Sequence, residues 1–181
     1  CQETDSPIHF KRSAWMPSIV APFTWLEGLA WTTALRESPF GYPLIETSHV
    51  ACIVIFAGLV IMMDLRLVGL AFTNAPLAQI QRRLFPWQMA AFVPSTATGI
   101  LLFCVDPLRY YRNVFFLAKL VLLALAGLNA LAFHLKTYRR AEGWDEDRQA
   151  TATARLAGAA SLLLWSATII SGRLIPNNWF K

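Results

Sequence analysis

The chain has 181 residues, of which 56% are apolar, 13% aromatic and only 15% charged. A soluble domain carries about 25% charged residues, so this composition excludes a disordered tail and most soluble enzymes of similar size. The net charge of +5 comes from basic residues flanking apolar blocks, where they meet lipid headgroups. No basic run interleaves with aromatics as a nucleic-acid groove requires, so no nucleic-acid partner is expected.

The N-terminal residues 1–40 read as a segment of their own. Cys1 at the start is compatible with a lipid-modified N-terminus. From Phe23 to Leu35, Phe23, Leu26, Leu29, Ala30 and Ala34 recur at helical spacing, with Glu27, Thr32, Thr33 and Arg36 between them. This pattern predicts one amphipathic helix on the membrane surface, with Trp25 and Trp31 at headgroup level. Pro39-Phe40-Gly41-Tyr42-Pro43 then turns the chain inward.

A bilayer core takes about 20 mostly apolar helical residues, and residues 41–175 hold four such blocks. They run from about Leu44 to Asp64, Leu84 to Val105, Val114 to Leu135 and Leu156 to Gly172. The predicted fold is therefore all-α, an integral membrane antiparallel four-helix bundle with an N-terminal surface helix. A short second surface helix is expected over Pro76–Leu84. Residues 176–181 form an interfacial tail anchored by Trp179 and Phe180.

Arg66, Arg82 and Arg83, then Lys136, Arg139, Arg140 and Arg148, flank the two loops expected on the cytoplasmic side. The basic excess there predicts both termini outside. The acidic run Glu142-Gly143-Trp144-Asp145-Glu146-Asp147 matches no calcium-loop spacing and reads as a solvated loop.

Ionisable residues inside a bilayer are costly and therefore informative. On the first span Glu46, His49 and Asp64 share one stripe at helical spacing, which predicts an inward face, whereas Arg66 points the other way and is expected to reach the interface. The third span adds Lys119, Asn129 and His134, and the fourth starts beside Arg155. Two polar groups follow: Glu46, His49 and Lys119 near the outer side, and Asp64, His134 and Arg155 near the inner side, with Asn129 also in the polar interior. One reading is a set of buried pairs that fixes helix register.

The redox reading makes His49 and His134 ligands of a b-type haem or neighbours of a quinone, with Lys119 and Arg173 pairing the haem propionates. An axial offset of roughly 20 Å keeps His49 and His134 from sharing one iron. Separate variants pair His49 with a non-histidine ligand, His134 with Met63 or Met89, or bring in His9. A third reading is a copper or proton carrier built on His49, Glu46, Met62 and Met63.

Pro94-Ser95-Thr96-Ala97-Thr98-Gly99 predicts a kink in the second span, with hydroxyls serving the disturbed backbone and room for a quinone head or an ion. Ala154 with Gly158 and Ala157 with Ser161 form two small-xxx-small pairs suited to close helix contact, inside the bundle or with another protein. No phosphate loop, GxSxG, HExxH or Rossmann pattern occurs, so no self-contained enzyme is expected.

The run Tyr42-Pro43-Leu44-Ile45-Glu46-Thr47-Ser48-His49, followed by Met63-Asp64-Leu65-Arg66-Leu67-Val68-Gly69-Leu70, resembles an uncharacterised bacterial family of small four-helix membrane proteins. Leu84-Phe85-Pro86-Trp87, Thr98 to Phe103, Lys119, Gly127-Leu128-Asn129-Ala130, Phe133-His134, Leu164-Trp165 and Gly172-Arg173 extend the resemblance over about residues 22 to 175. More remotely the chain is similar to copper-resistance membrane proteins and cytochrome b-type bundles. The resemblance implies a multi-pass protein of the bacterial inner membrane and points to haem, quinone or copper, with His49, Asp64, Arg66, Lys119, Asn129 and His134 as the residues to test. The expected role is a membrane subunit of a respiratory or redox complex, in contact with lipids and other subunits. The alternative is an anchoring subunit without a cofactor.

Overall fold

A computed structural model of the chain describes residues 17–74, 76–135 and 151–177, and all regular structure among them is helical. Cys1, His9, the basic and acidic residues of 136–150, and Trp179 with Phe180 lie outside the described residues. The helices are α1 (Pro17–Glu27), α2 (Ala30–Glu37), α3 (Gly41–Val68), α4 (Leu77–Val105), α5 (Pro107–Tyr111), α6 (Val114–Phe133) and α7 (Ala152–Leu174), ending in a 3₁₀ turn at Ile175–Asn177. Four of them, α3, α4, α6 and α7, are long and apolar enough to cross a membrane. The protein is thus an all-α, multi-pass membrane protein.

Each boundary has a local cause. Gly41 opens α3 with its N–H donated to the Ser38 hydroxyl at 3.0 Å. Gly69 closes the helix at φ 88°, a left-handed conformation open to glycine. The N–H groups of Gly69, Leu70 and Ala71 all turn back to the Leu65 carbonyl. Pro107 sits at the first position of α5, where its missing N–H costs nothing. Asn113 caps α6 by accepting from the N–H of Phe115 and Phe116, and Thr151 caps α7 by accepting from Ala154.

The single surface helix expected over Phe23–Leu35 is two helices. Gly28 ends α1, its N–H turned back to the Thr24 and Trp25 carbonyls. The buried Thr32 hydroxyl lies against the carbonyl oxygens of Leu26, Glu27 and Leu29. A side chain thereby serves carbonyls that the break leaves without helical donors. The pair packs against α5 and the adjoining ends of α3 and α4.

The separate helix expected over Pro76–Leu84 is instead the start of α4. Leu77, Ile80 and Leu84 pack on Met63, Leu67 and Ala154, so this segment belongs to the bundle and not to its surface. α4 continues through both Pro86 and Pro94.

The spans form a row. α4 packs on α3, α3 on α7 and α7 on α6. α4 and α6 have no extended packing; they meet through the stacked rings of Phe103 and Phe116, 5.7 Å apart. The upper end of the row holds the starts of α3 and α6 and the ends of α4 and α7. The lower end holds the end of α3 and the starts of α4 and α7.

Candidate functional site: a polar layer between aromatic rings

His49 lies two turns into α3 and faces α4. Its Nδ1 is 2.9 Å from the Ser95 carbonyl oxygen and 3.0 Å from the Thr98 hydroxyl. The carbonyl can only accept, so Nδ1 donates. Thr98 has two carbonyls of its own helix within reach of its hydrogen, Pro94 at 2.7 Å and Ser95 at 3.1 Å. Gly99 makes room for the ring: a Cβ there would stand 2.9 Å from His49 Cε1. The hydroxyl-rich segment after Pro94 therefore serves the histidine, and the imidazole fills the space expected beside the proline.

Lys119 reaches the same level from α6. It stands one turn below Phe116, as Gly99 stands one turn below Phe103 in the same ring stack, and its Nζ would lie 3.5 Å from a Cβ on Gly172 of α7. Four elements thus build one polar layer: His49 from α3, Ser95 to Gly99 from α4, Lys119 from α6 and Gly172 from α7.

Aromatic rings bound this layer above and below. Helical spacing puts Phe92, Ser95, Gly99 and Phe103 on one face of α4, Phe116 and Lys119 on one face of α6, and His49 with Phe56 on one face of α3. Above the layer Phe103 stacks on Phe116, flanked by Phe23 and Tyr110. Below it Phe56 contacts Phe92 at 5.3 Å and Trp165 at 5.0 Å, joining α4, α3 and α7.

The upper rim is polar. The Tyr42 and Tyr110 hydroxyls meet at 3.1 Å. Burial and the Tyr42 hydrogen bond push the Tyr110 phenol well above its ordinary range. Arg36 pairs with Glu27 at 2.8 Å and donates to the Val105 carbonyl at the end of α4, a favourable place for a cation. Asn113 donates to the Ile175 carbonyl at 2.7 Å. A cleft of about 280 Å³ opens here, lined by Arg36, Ser38, Tyr42, Asp106 and Arg109 among others.

At the lower end Asp64 is 5% exposed, and its Oδ2 has no hydrogen-bond partner. Asn129 donates to the Ala157 carbonyl at 3.0 Å, and Gln88 to the Leu59 carbonyl at 3.3 Å. The small residues of α7 make their contacts inside the bundle: a Cβ on Gly158 would stand 2.8 Å from Leu67 Cβ and 3.1 Å from the Asp64 carbonyl.

Several expectations change. Glu46, in the second turn of α3, is exposed and not part of an inward stripe. Arg66 is 2% exposed and does not reach out to the interface. Neighbours enclose the last turns of α3 on more than one side, since Met63 and Leu67 join Leu77 of α4 and Ala154 of α7. Arg155 is exposed because its neighbour Ala154 takes the inward position.

His134 is exposed at the lower end of α6 and Arg173 at the upper end of α7. The expected Asp64, His134 and Arg155 group therefore does not share one environment. His49 and Lys119 do share a layer. The copper set of Glu46, His49, Met62 and Met63 extends over about 25 Å of one helix, with Met63 in the lower core, so it cannot close on one ion. Among the described residues no group of three or more His, Cys, Asp or Glu side chains is arranged to hold a metal. Ser95 and Gly99 enter the sequence-based reading only as part of the kink after Pro94, and Gly172 and the aromatic layers do not enter the expected site. Their signal in the sequence is the small and hydroxyl residues following Pro94 and the heptad spacing of Gly158, Trp165 and Gly172.

No curated protein and no solved structure matches the chain. A family model matches residues 40–178, from the entry to α3 to just past the 3₁₀ turn, and so spans all four membrane helices and every residue of the polar layer. The chain belongs to that family, a family of unknown function designated DUF6644.

Proposed function

We propose that this protein is a membrane subunit of a bacterial redox complex, with the His49–Lys119 layer holding a quinone headgroup. The observation that supports it is the His49 imidazole, fixed by Ser95 and Thr98 at the level of Lys119 and bounded by aromatic rings. Such a layer offers hydrogen bonds at the edge of a planar ring and apolar faces for the ring itself. Because α4 and α6 meet at Phe103 and Phe116 without packing along their lengths, a lipid-dissolved ligand reaches the layer sideways from the bilayer. The upper end faces the outside and the lower end the cytoplasm, in keeping with the basic residues flanking the lower loops. The absence of a soluble-enzyme motif supports a subunit that works with partner chains.

The test is to purify the protein from its native membrane, extract it with organic solvent and quantify bound quinone. Stoichiometric quinone that His49→Ala removes is the expected outcome; quinone at the level of a control membrane protein sinks the reading. A second reading, b-type haem, draws on the same Nδ1–H···O=C bond, which commonly orients imidazoles that bind metal through Nε2. His134, at the opposite end of the row, cannot supply the second axial ligand. A dithionite-reduced spectrum without Soret and alpha bands removes this reading.

A further inference from the structure

We infer that the His49 layer selects the reduced, hydroxyl-bearing form of its ligand, a quinol, over the oxidised quinone. The inference rests on the quinone-site reading above and adds which redox form the site is built for.

The argument starts from the hydrogen bonds of one ring. The Ser95 carbonyl oxygen, 2.9 Å from Nδ1, has no hydrogen to give, so the proton is on Nδ1. Thr98 Oγ1, 3.0 Å away, has carbonyl acceptors for its own hydrogen at Pro94 (2.7 Å) and Ser95 (3.1 Å) and so is suited to accept from Nδ1. A neutral imidazole has one N–H. With that N–H committed to Ser95, Nε2 is left as a lone pair, an acceptor only.

The ring is also held in place. It lies over Gly99, where even a methyl group would stand 2.9 Å from Cε1. Turning it over would give up both contacts of Nδ1 and put a carbon against the Ser95 carbonyl.

The two forms of the ligand then differ sharply. An oxidised quinone presents only carbonyl oxygens, and an acceptor facing the Nε2 lone pair gains nothing and loses its water. A quinol presents two hydroxyls, each donor and acceptor. One donates to His49 Nε2. The other accepts from the Lys119 ammonium, which carries three donors and no acceptor. Lys119 serves both redox forms, and only the quinol satisfies His49 as well. Phe103 and Phe116 above and Phe56, Phe92 and Trp165 below are indifferent to the redox state. Discrimination therefore falls on the imidazole.

Equilibrium binding to the full chain in detergent micelles tests this with three probes: a decyl-tailed para-benzoquinol, its quinone, and the dimethyl ether of the quinol, which keeps the reduced ring and removes both O–H donors. The expected result is quinol binding about tenfold or more tighter than either other probe, with His49→Ala bringing the three affinities together. Lys119→Met, which leaves the His49 ring untouched, weakens quinol and quinone alike and preserves their ratio. Quinone binding as tight as quinol in the native protein overturns the inference while leaving the quinone site intact. A preference that survives His49→Ala overturns it too. Binding of none of the probes overturns both the inference and the reading beneath it.

Discussion

At the scale of single residues, the membrane decides what a polar group must do, and the side chains here answer in different ways. The Ser95 carbonyl fixes the His49 proton on Nδ1, and Thr98 finds carbonyl acceptors on its own helix. Asp64 is buried with one carboxylate oxygen, Oδ2, lacking a hydrogen-bond partner. Tyr110, in the short helix outside the spans, keeps its phenol neutral because burial and the Tyr42 hydroxyl both disfavour the phenolate. The sign of its pH effect follows. Its folded pKa lies above the unfolded value of about 10, so above that pH the unfolded chain has lost a proton that the folded chain keeps. The stability from this group is complete below about pH 10 and declines as pH rises further. Tyr110→Phe should therefore flatten the loss of thermal stability between about pH 10 and 11 relative to the native chain. Melting curves in detergent across that range check it, and identical slopes in the two proteins would refute it.

At the scale of helices, α3 and α7 approach closely at Gly158. A Cβ there would stand 2.8 Å from Leu67 Cβ, and neither backbone-anchored carbon can swing aside. Gly158→Ala should cost about 1–3 kcal/mol by forcing the helices apart. Gly127→Ala on α6 is the control, since nothing lies within 4 Å of the added carbon; there the gain in helix propensity should stabilise by about 0.5–1 kcal/mol. Thermal unfolding in detergent distinguishes the two, and equal effects would mean that α3 and α7 do not approach as described.

The same contact shows what the sequence made legible. Four apolar blocks of span length announced four membrane helices, and small-xxx-small spacing on the fourth announced a close approach. The partner of that approach was not legible, because a helical wheel describes one helix and its neighbours are chosen by packing. Arg66 was misplaced for the same reason: opposite Asp64 on an isolated wheel, it is nonetheless interior once α4 and α7 gather round the end of α3. The break between α1 and α2 was obscured because the apolar spacing runs through Gly28 without a gap. His49 and Lys119 shared a predicted level because chain direction and rise per residue fix depth; their aromatic surroundings depend on facing, which those two quantities leave open.

At the scale of the whole molecule, the row of helices divides the described connections between two ends. α1 and α2, the α4–α6 connection through α5, and the 3₁₀ turn gather at the upper end, tied by Arg36 to Val105, Tyr42 to Tyr110 and Asn113 to Ile175. The connection from α3 to α4 lies at the other end, about 40 Å away along α3 by its rise per residue. If the row spans the bilayer, these ends meet different compartments. Asn74 and Arg112 are both exposed and mark the two ends. Single cysteines there, in a chain whose Cys1, Cys52 and Cys104 are replaced by alanine, should react differently with a membrane-impermeant maleimide applied to intact spheroplasts. With the upper end outside, Arg112→Cys should label at once and Asn74→Cys only after lysis. The reverse pattern would invert the orientation, placing the His49–Lys119 layer nearer the cytoplasm while leaving the fold unchanged. Immediate labelling of both would put the two ends of α3 on one side of the membrane, which a chain of four spanning helices does not permit.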